Sequence, residues 1–269
     1  MEASFTNGNP VQSLLFAGLA QRRGISRALP FSQRAWRRRH FAADPGPLCT
    51  GLVNFWLRAL LQRRKPLGVL RTPSRSTLEQ IVALQSSGVY PEFPSNHVPT
   101  KADRAMLLRK YGSSDWLAVS REIQDTAGGD CILYDLLQQF DYESVRIHTH
   151  ETPPTGFSKF PDADRGTAFV AVIRYCRSGR EGGHRVAAYV SRTGRCHFFD
   201  PNAGAVVEPN GPRFQRWLRD YYQDMPHRSF ELPASGPALS LYELRGVRCA
   251  TGRAKIRSQL EVNRTRSDA

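Results

Sequence analysis

Hydrophobic positions follow two different periods along the chain. Between Cys49 and about Arg63, Leu52, Phe55, Trp56, Ala59 and Leu60 recur at three- and four-residue spacing, the stripe of a helix with one buried side. Asp44-Pro45-Gly46-Pro47 stands before it as a turn signal, because Pro fixes φ and Gly admits conformations closed to other residues. The spacing therefore predicts a helix with Cys49 in its first turn. Further helical patterns fall near residues 75–86, 113–125, 131–140 and 212–223, separated by Pro-bearing loops such as 89–94. Beyond Glu151 the period shortens. Thr152-Pro153-Pro154-Thr155-Gly156 reads as a loop, and Ala168–Tyr175, Arg185–Val190 and Arg195–Phe199 are β-branched and aromatic runs broken by Gly-rich turns. Helices first and strands second predict an α+β fold with a mostly antiparallel β-sheet, not alternating βαβ units.

Residues 1–43 show no sustained period and contain Gly8, Pro10, Gly24 and Pro30. They are expected to form a flexible basic leader serving secretion or targeting, followed by a catalytic or binding domain over 44–245 and a basic tail over 246–269. With 269 residues, 40% of them hydrophobic, the chain is long enough to bury a substantial core. Its longest apolar run, Leu14 to Ala20, is seven residues, far short of the roughly 20 that a membrane-spanning helix needs. No Arg or Lys precedes that run, so a secretory signal peptide is not expected. The five cysteines, Cys49, Cys131, Cys176, Cys196 and Cys249, are too few and too scattered for a disulfide framework and read as reduced thiols.

A formal charge of +14 raises nucleic acid as a partner, but its distribution argues otherwise. Residues 1–43 carry +6, residues 245–269 carry +5, and the stretch between only +3. Excess charge confined to two tails is not the signature of a basic groove on a folded surface. Arg34, Arg37, Arg38 and Arg39, interleaved with Trp36 and close to Phe31 and Phe41, suggest instead that the leader could hold an anionic membrane surface.

Chemistry gathers at three positions. A thiol at the start of a helix meets the positive end of the helix dipole, which favours thiolate, and a neighbouring imidazolium lowers its pKa further. Cys49 has the first condition. His184 follows Gly182-Gly183 and opens the strand Arg185–Val190, Asp200 ends the next strand, and Ser191-Arg192-Thr193-Gly194 supplies the reversal. With an effectively three-residue connection and Gly194 at positive φ, His184 and Asp200 are expected directly opposite one another, where a carboxylate can fix an imidazole tautomer. A one-residue slip would separate them onto opposite faces. Each residue alone has an ordinary reading: a small buried hydrophobe, a hydrogen-bonded histidine, a turn aspartate. Their order along the chain, with one on a helix and two on a hairpin, is what points to nucleophilic catalysis.

Gly46-Pro47-Leu48-Cys49-Thr50-Gly51-Leu52 with Trp56-Leu57 resembles the catalytic-helix signature of the YopT-type cysteine protease effectors. Gly183-His184-Arg185-Val186-Ala187-Ala188 and then Phe198-Phe199-Asp200-Pro201-Asn202 with Gly204 resemble that family's His and Asp blocks, in the same order. The resemblance spans about 160 residues and implies a papain-like fold. It implies a bacterial effector delivered by type III secretion into the host cytoplasm or to the plasma-membrane surface, cleaving a host protein such as a kinase or small GTPase. Carried over by position, it makes Cys49 the nucleophile, His184 the general base and then acid, and Asp200 the orienter of His184. A catalytically weak or inactive papain-like fold acting as a host-protein binding module is the alternative.

The sequence departs from the family at Asp44, five positions before Cys49, where an amide side chain is expected to serve the oxyanion; an ionised carboxylate cannot donate a hydrogen bond. Residue 2 is Glu and no cysteine precedes Cys49, so acylation of a processed leader has no visible acceptor. Cys131, after Gly128-Gly129-Asp130, is the rival nucleophile. Cys176, His148, His150, Cys196 and His197 lack the paired spacing of a zinc site, and neither metal nor cofactor is expected. Trp217, Tyr221 and Tyr222 read as core and rim aromatics.

Overall fold

A computed structural model describes residues 10–43, 45–86, 101–110, 112, 114, 140–150, 165–177, 180–224 and 239–249. Three short elements come first: helix α1 (Pro10–Arg22), strand β1 (Arg27–Pro30) and helix α2 (Gln33–His40). Helices α3 (Cys49–Leu61), α4 (Pro66–Arg71), α5 (Arg75–Ser86) and α6 (Lys101–Lys110) follow. Strands β2 (Phe140–Asp141), β3 (Ser144–His150), β4 (Thr167–Arg177), β5 (Arg180–Val190), β6 (Cys196–Asp200) and β7 (Gly204–Glu208) precede helix α7 (Gly211–Asp224) and strands β8 (Leu239–Arg245) and β9 (Arg248–Cys249). Seven strands form one sheet in the order β1-β7-β6-β5-β4-β8-β3, every neighbouring pair antiparallel, and β2 pairs with β9. The fold is α+β with an antiparallel sheet.

Both faces of the sheet are covered, which explains why its central strands read as nearly continuous apolar runs. Ala168 and Val170 of β4, Ala187 of β5 and Phe199 of β6 pack with Leu52, Val53, Trp56 and Leu57 of α3. The alternate residues Phe169, Ala171, Val186, Ala188 and Phe198 pack with Phe16 and Leu19 of α1 and Phe214, Trp217 and Tyr221 of α7. Trp56 stacks on Phe199 at 5.4 Å between centroids, so the helix that begins at Cys49 is fixed against the strand that ends at Asp200.

Helix α3 also lies unusually close to α5. A Cβ on Gly51 would fall 2.1 Å from the carbonyl oxygen of Ile81, and the Gly51 N–H donates to the Gln85 side chain at 3.0 Å. Alanine at this position would gain about 1 kcal/mol of helix propensity but must push two backbones apart, an overpacking cost of about 1–3 kcal/mol. Gly51→Ala is therefore expected to lower the melting temperature, with activity falling alongside because Cys49 rides on the displaced turn. An unchanged thermal melt would show that α5 yields freely.

The region expected to be a flexible leader is folded from Pro10 onward. Phe16, Leu19 and Ala20 of α1 are buried, β1 extends the sheet by pairing with β7, and Trp36 of α2 is buried with its indole N–H donating to the Leu70 carbonyl at 2.6 Å. The residues read as breakers have other uses here. Pro10 opens α1, where its missing N–H costs nothing. Gly24 takes a left-handed φ of 62° just beyond the end of α1, and Pro30 sits in an edge strand. Asp44 lies outside the described residues. At the other end the folded region runs past Arg245: Val247 is buried and β9 pairs with β2, while residues 250–269 lie outside the description. The helices expected at 75–86 and 212–223 correspond to α5 and α7. That at 113–125, except for a bend at Ser114, and that at 131–140, except for Phe140, which is in β2, lie outside the described residues.

Candidate active site

Cys49 is the first residue of α3 and is buried. Two structural devices hold it there. The Leu48 N–H donates to Oε1 of Gln33 at 3.0 Å, and the apolar side of α3 beyond Cys49 is fixed against β5 and β6. Leu48 supplies no side-chain cap to the helix, so a side chain of α2 serves the backbone just ahead of Cys49.

His184 and Asp200 meet, but not as directly opposed residues. Gly194 does take a left-handed φ of 80° in a three-residue connection, closed by the Ser191 N–H donating to the Arg195 carbonyl at 2.8 Å. The register that follows pairs Val190 with Cys196 and Ala187 with Phe199, which places Asp200 level with Val186, one step diagonally from His184. The displacement is two residues, so both side chains stay on one face, and a diagonal reach suffices for long side chains. His184 does not open its strand: β5 begins at Arg180, so Gly182 and Gly183 are strand residues paired with Tyr175 and Arg174. Gly182 is small because the Tyr175 ring lies over it; a Cβ would sit 2.6 Å from that ring.

The His184 Nε2–H donates to Oδ1 of Asp200 at 2.9 Å, with side-chain exposures of 3% and 0%. Asp200 Oδ1 also accepts the Asn202 N–H at 2.6 Å, and Oδ2 accepts the Tyr221 hydroxyl at 2.7 Å. Three donors on one buried carboxylate keep it ionised. Burial alone would raise its pKa, but the His184 charge and these hydrogen bonds bring it below the ordinary carboxylate value. Burial, and then the charge and hydrogen bond of Asp200, push the Tyr221 hydroxyl well above its usual range, so Tyr221 remains a donor.

With Nε2 committed to Asp200, Nδ1 is the imidazole nitrogen left for Cys49. Burial opposes charge on both partners, yet the outcome favours the ion pair. For Cys49 the hydrogen bond and charge of His184, the Arg185 backbone N–H and the Arg185 charge outweigh burial and lower the thiol pKa. For His184 the Asp200 charge and hydrogen bond, with those of Cys49, outweigh burial and raise the imidazole to about 10. The thiolate is thus present above a depressed pKa and lost as pH falls through it, whereas the imidazolium is lost as pH rises through about 10. Alkylation of Cys49 by iodoacetamide should begin at a pH well below the roughly 8.5 of a free cysteine. His184→Ala should return the onset to that of an ordinary thiol; the same onset in both proteins would show that the imidazole does not activate Cys49.

Several groups at the site were not singled out in the sequence. Tyr221 appeared there only as an aromatic of the last helix, Asn202 only as part of the Asp block, and Gln33 lay in the presumed leader. Nothing in the local pattern could have marked Gln33, because its partners are at positions 48, 201 and 202. Cys131 lies outside the described residues. Cys196, the first residue of β6, is buried, and burial together with Glu208 pushes its thiol up to about 11, the opposite of an activated nucleophile. Among the described residues no group of three or more His, Cys, Asp or Glu is arranged to hold a metal ion, and no helix is long and apolar enough to cross a membrane. The aromatics expected to enter a lipid interface are used internally: Trp36 is buried, and Phe31 and Phe41 pack beside it at 6.3 and 5.8 Å.

No curated protein sequence matches the chain. Its structure is similar to the crystal structure of the Pseudomonas avirulence protein AvrPphB, with a TM-score of 0.39 and 15% identity, over 73% of this chain and 90% of that one. Residues 163–232 match the family model Peptidase_C58, described as Yersinia/Haemophilus virulence surface antigen. This segment contains His184, Asp200, Asn202 and Tyr221, the whole of the hydrogen-bonded cluster except its thiol and Gln33. The match covers about a quarter of the chain, and over that segment the chain is similar to the YopT-type cysteine proteases.

Proposed function

We propose that Cys49, His184 and Asp200 form the catalytic triad of an endopeptidase, and that the protein is a bacterial virulence effector that cleaves a host-cell protein after secretion into the host. The observation that carries the triad is the buried His184–Asp200 hydrogen bond of 2.9 Å beside a thiol whose pKa the same imidazole lowers. The Cys49 thiolate attacks the scissile carbonyl carbon, forming a C–S bond as the carbonyl π electrons move to oxygen. The Cys49 backbone N–H, at the positive end of the helix dipole, serves the developing oxyanion. His184 then gives its Nδ1 proton to the leaving amine as the C–N bond breaks, leaving a thioester. Water attacks that thioester, His184 takes the water proton, and release of the carboxylic acid restores the thiolate–imidazolium pair. Asp200 keeps one tautomer and one orientation throughout.

The substrate class is the finer part of the reading: a host protein, with kinases and small GTPases the first candidates. Wild type and Cys49→Ala incubated side by side with such proteins should give discrete fragments in the first case and none in the second. Equal cleavage by both would transfer the chemistry to another residue. Stable binding by both, with cleavage by neither, would make the fold a binding module.

A further inference from the structure

We propose that Gln33 is a positioning residue for the Cys49–His184 pair, acting through the side-chain amide of Asn202. The inference rests on the proposed triad. A backbone group sets the direction of the hydrogen bonds. The Leu48 N–H can only donate, so the Gln33 atom that meets it is the carbonyl Oε1. Gln33 must then present its NH2 to Asn202, whose Oδ1 accepts it. Asn202 in turn is left with its own NH2 facing Nδ1 of His184, at 3.3 Å. Gln33 and Asn202 are 4% and 8% exposed, so water does not readily substitute for either, and the Gln33 N–H donates to the Pro201 carbonyl at 2.7 Å, fixing α2 to the turn that carries Asn202.

An amide NH2 directed at Nδ1 favours a ring nitrogen with its lone pair available. It therefore holds His184 ready to accept a proton and opposes the imidazolium, against Asp200 and the Cys49 thiolate, which favour it. Arg185, beside His184 on β5, favours the thiolate, and Tyr221 of α7 reaches the pair through Asp200. A counterweight of this kind has a use in the reaction: His184 must surrender its Nδ1 proton to the leaving amine and then recover one from water, and a ring held too firmly as imidazolium would do neither well. Without Gln33, the Asn202 amide is free to turn its oxygen towards Nδ1–H, and the ion pair becomes more stable.

The test is the pH dependence of iodoacetamide alkylation of Cys49 in the full chain, followed by mass spectrometry of the Cys49 peptide so that the other cysteines do not contribute. Gln33→Met keeps the volume of the side chain and removes both hydrogen bonds. It should move the acid limb to lower pH by about one unit, a tenfold rise in thiolate fraction on that limb, as expected for loss of one hydrogen bond directed against a charged group. Asn202→Ala should give a displacement in the same direction, and the double variant no more than Asn202→Ala alone. Should Gln33→Met fail to fold, Asn202→Ala still reads the same contact from its other end. A purely structural role for Gln33 predicts the reverse, because a loosened α3 would separate Cys49 from His184 and move the limb up towards an ordinary thiol. That result, an unmoved limb, or additive effects in the double variant would overturn the proposal while leaving the triad intact. A wild-type profile already that of a free thiol, and identical in His184→Ala, would instead remove the triad on which the proposal rests.

Discussion

Cys49→Ala is expected to abolish peptide-bond cleavage, and His184→Ala to lower kcat/KM by about 10⁴-fold or more, since in the proposed triad nucleophile and base act as one unit and either loss forfeits their joint effect. Asp200→Ala should leave more activity than either, because the diagonal placement of His184 on β5 and the Asn202 contact still restrict the ring. It should nonetheless cost the most stability of the three. Removing that carboxylate strands the Tyr221 hydroxyl and the Asn202 N–H in a buried site, at about 1–3 kcal/mol for each unsatisfied group. Activity and melting temperature are thus expected to rank the variants differently, and measuring both separates orientation of the imidazole from support of the fold. Cys131→Ser should retain full activity. Loss of cleavage in Cys131→Ser with retention in Cys49→Ser would exchange the two thiols.

What could be read from the sequence followed from how local each signal is. Helix α3 declares itself through Leu52, Phe55, Trp56 and Ala59, all of which point into one core, and its first residue is the thiol. The α+β order and the antiparallel sheet were legible because β4, β5 and β6 are joined in sequence by short connections. The His184–Asp200 meeting was legible in kind though not in register: the turn and the positive φ of Gly194 were identified, but the count across it was two residues off. Such an error is harmless to the chemistry because the side-chain period is two. Tyr221 and Gln33 were beyond reach, since each acts on a residue brought to it by tertiary packing alone. The leader was misread for a physical reason. In α1 the buried Phe16, Leu19 and Ala20 are accompanied by Leu14 and Leu15, which are 70% and 58% exposed, so the helical stripe is blurred. In α2 four Arg residues, Arg37 itself buried, surround the buried Trp36, and charge hides the apolar residue that anchors the helix.

Deleting residues 1–43 should therefore destroy cooperative unfolding and cleavage of even a soluble peptide. Phe16 and Leu19 of α1 are buried in the core that α7 shares with the sheet, with the Phe16 ring 5.4 Å from Trp217 and 5.3 Å from Tyr221; Trp36 is buried on the opposite face. Each such side chain contributes about 1.5–3 kcal/mol when buried, and together they amount to much of the roughly 5–15 kcal/mol that separates a folded domain from its unfolded chain. The deletion also removes β1 and bares the edge of β7, a template for unwanted strand pairing. It withdraws Gln33 from between Leu48 and Asn202 as well. Loss of activity alone, with an unchanged thermal melt, would assign the segment to the site but not to the core. A truncated chain that melts cooperatively at the wild-type temperature and still cleaves a soluble peptide would show that α1, β1 and α2 are dispensable, and that the folded enzyme begins at residue 44 after all.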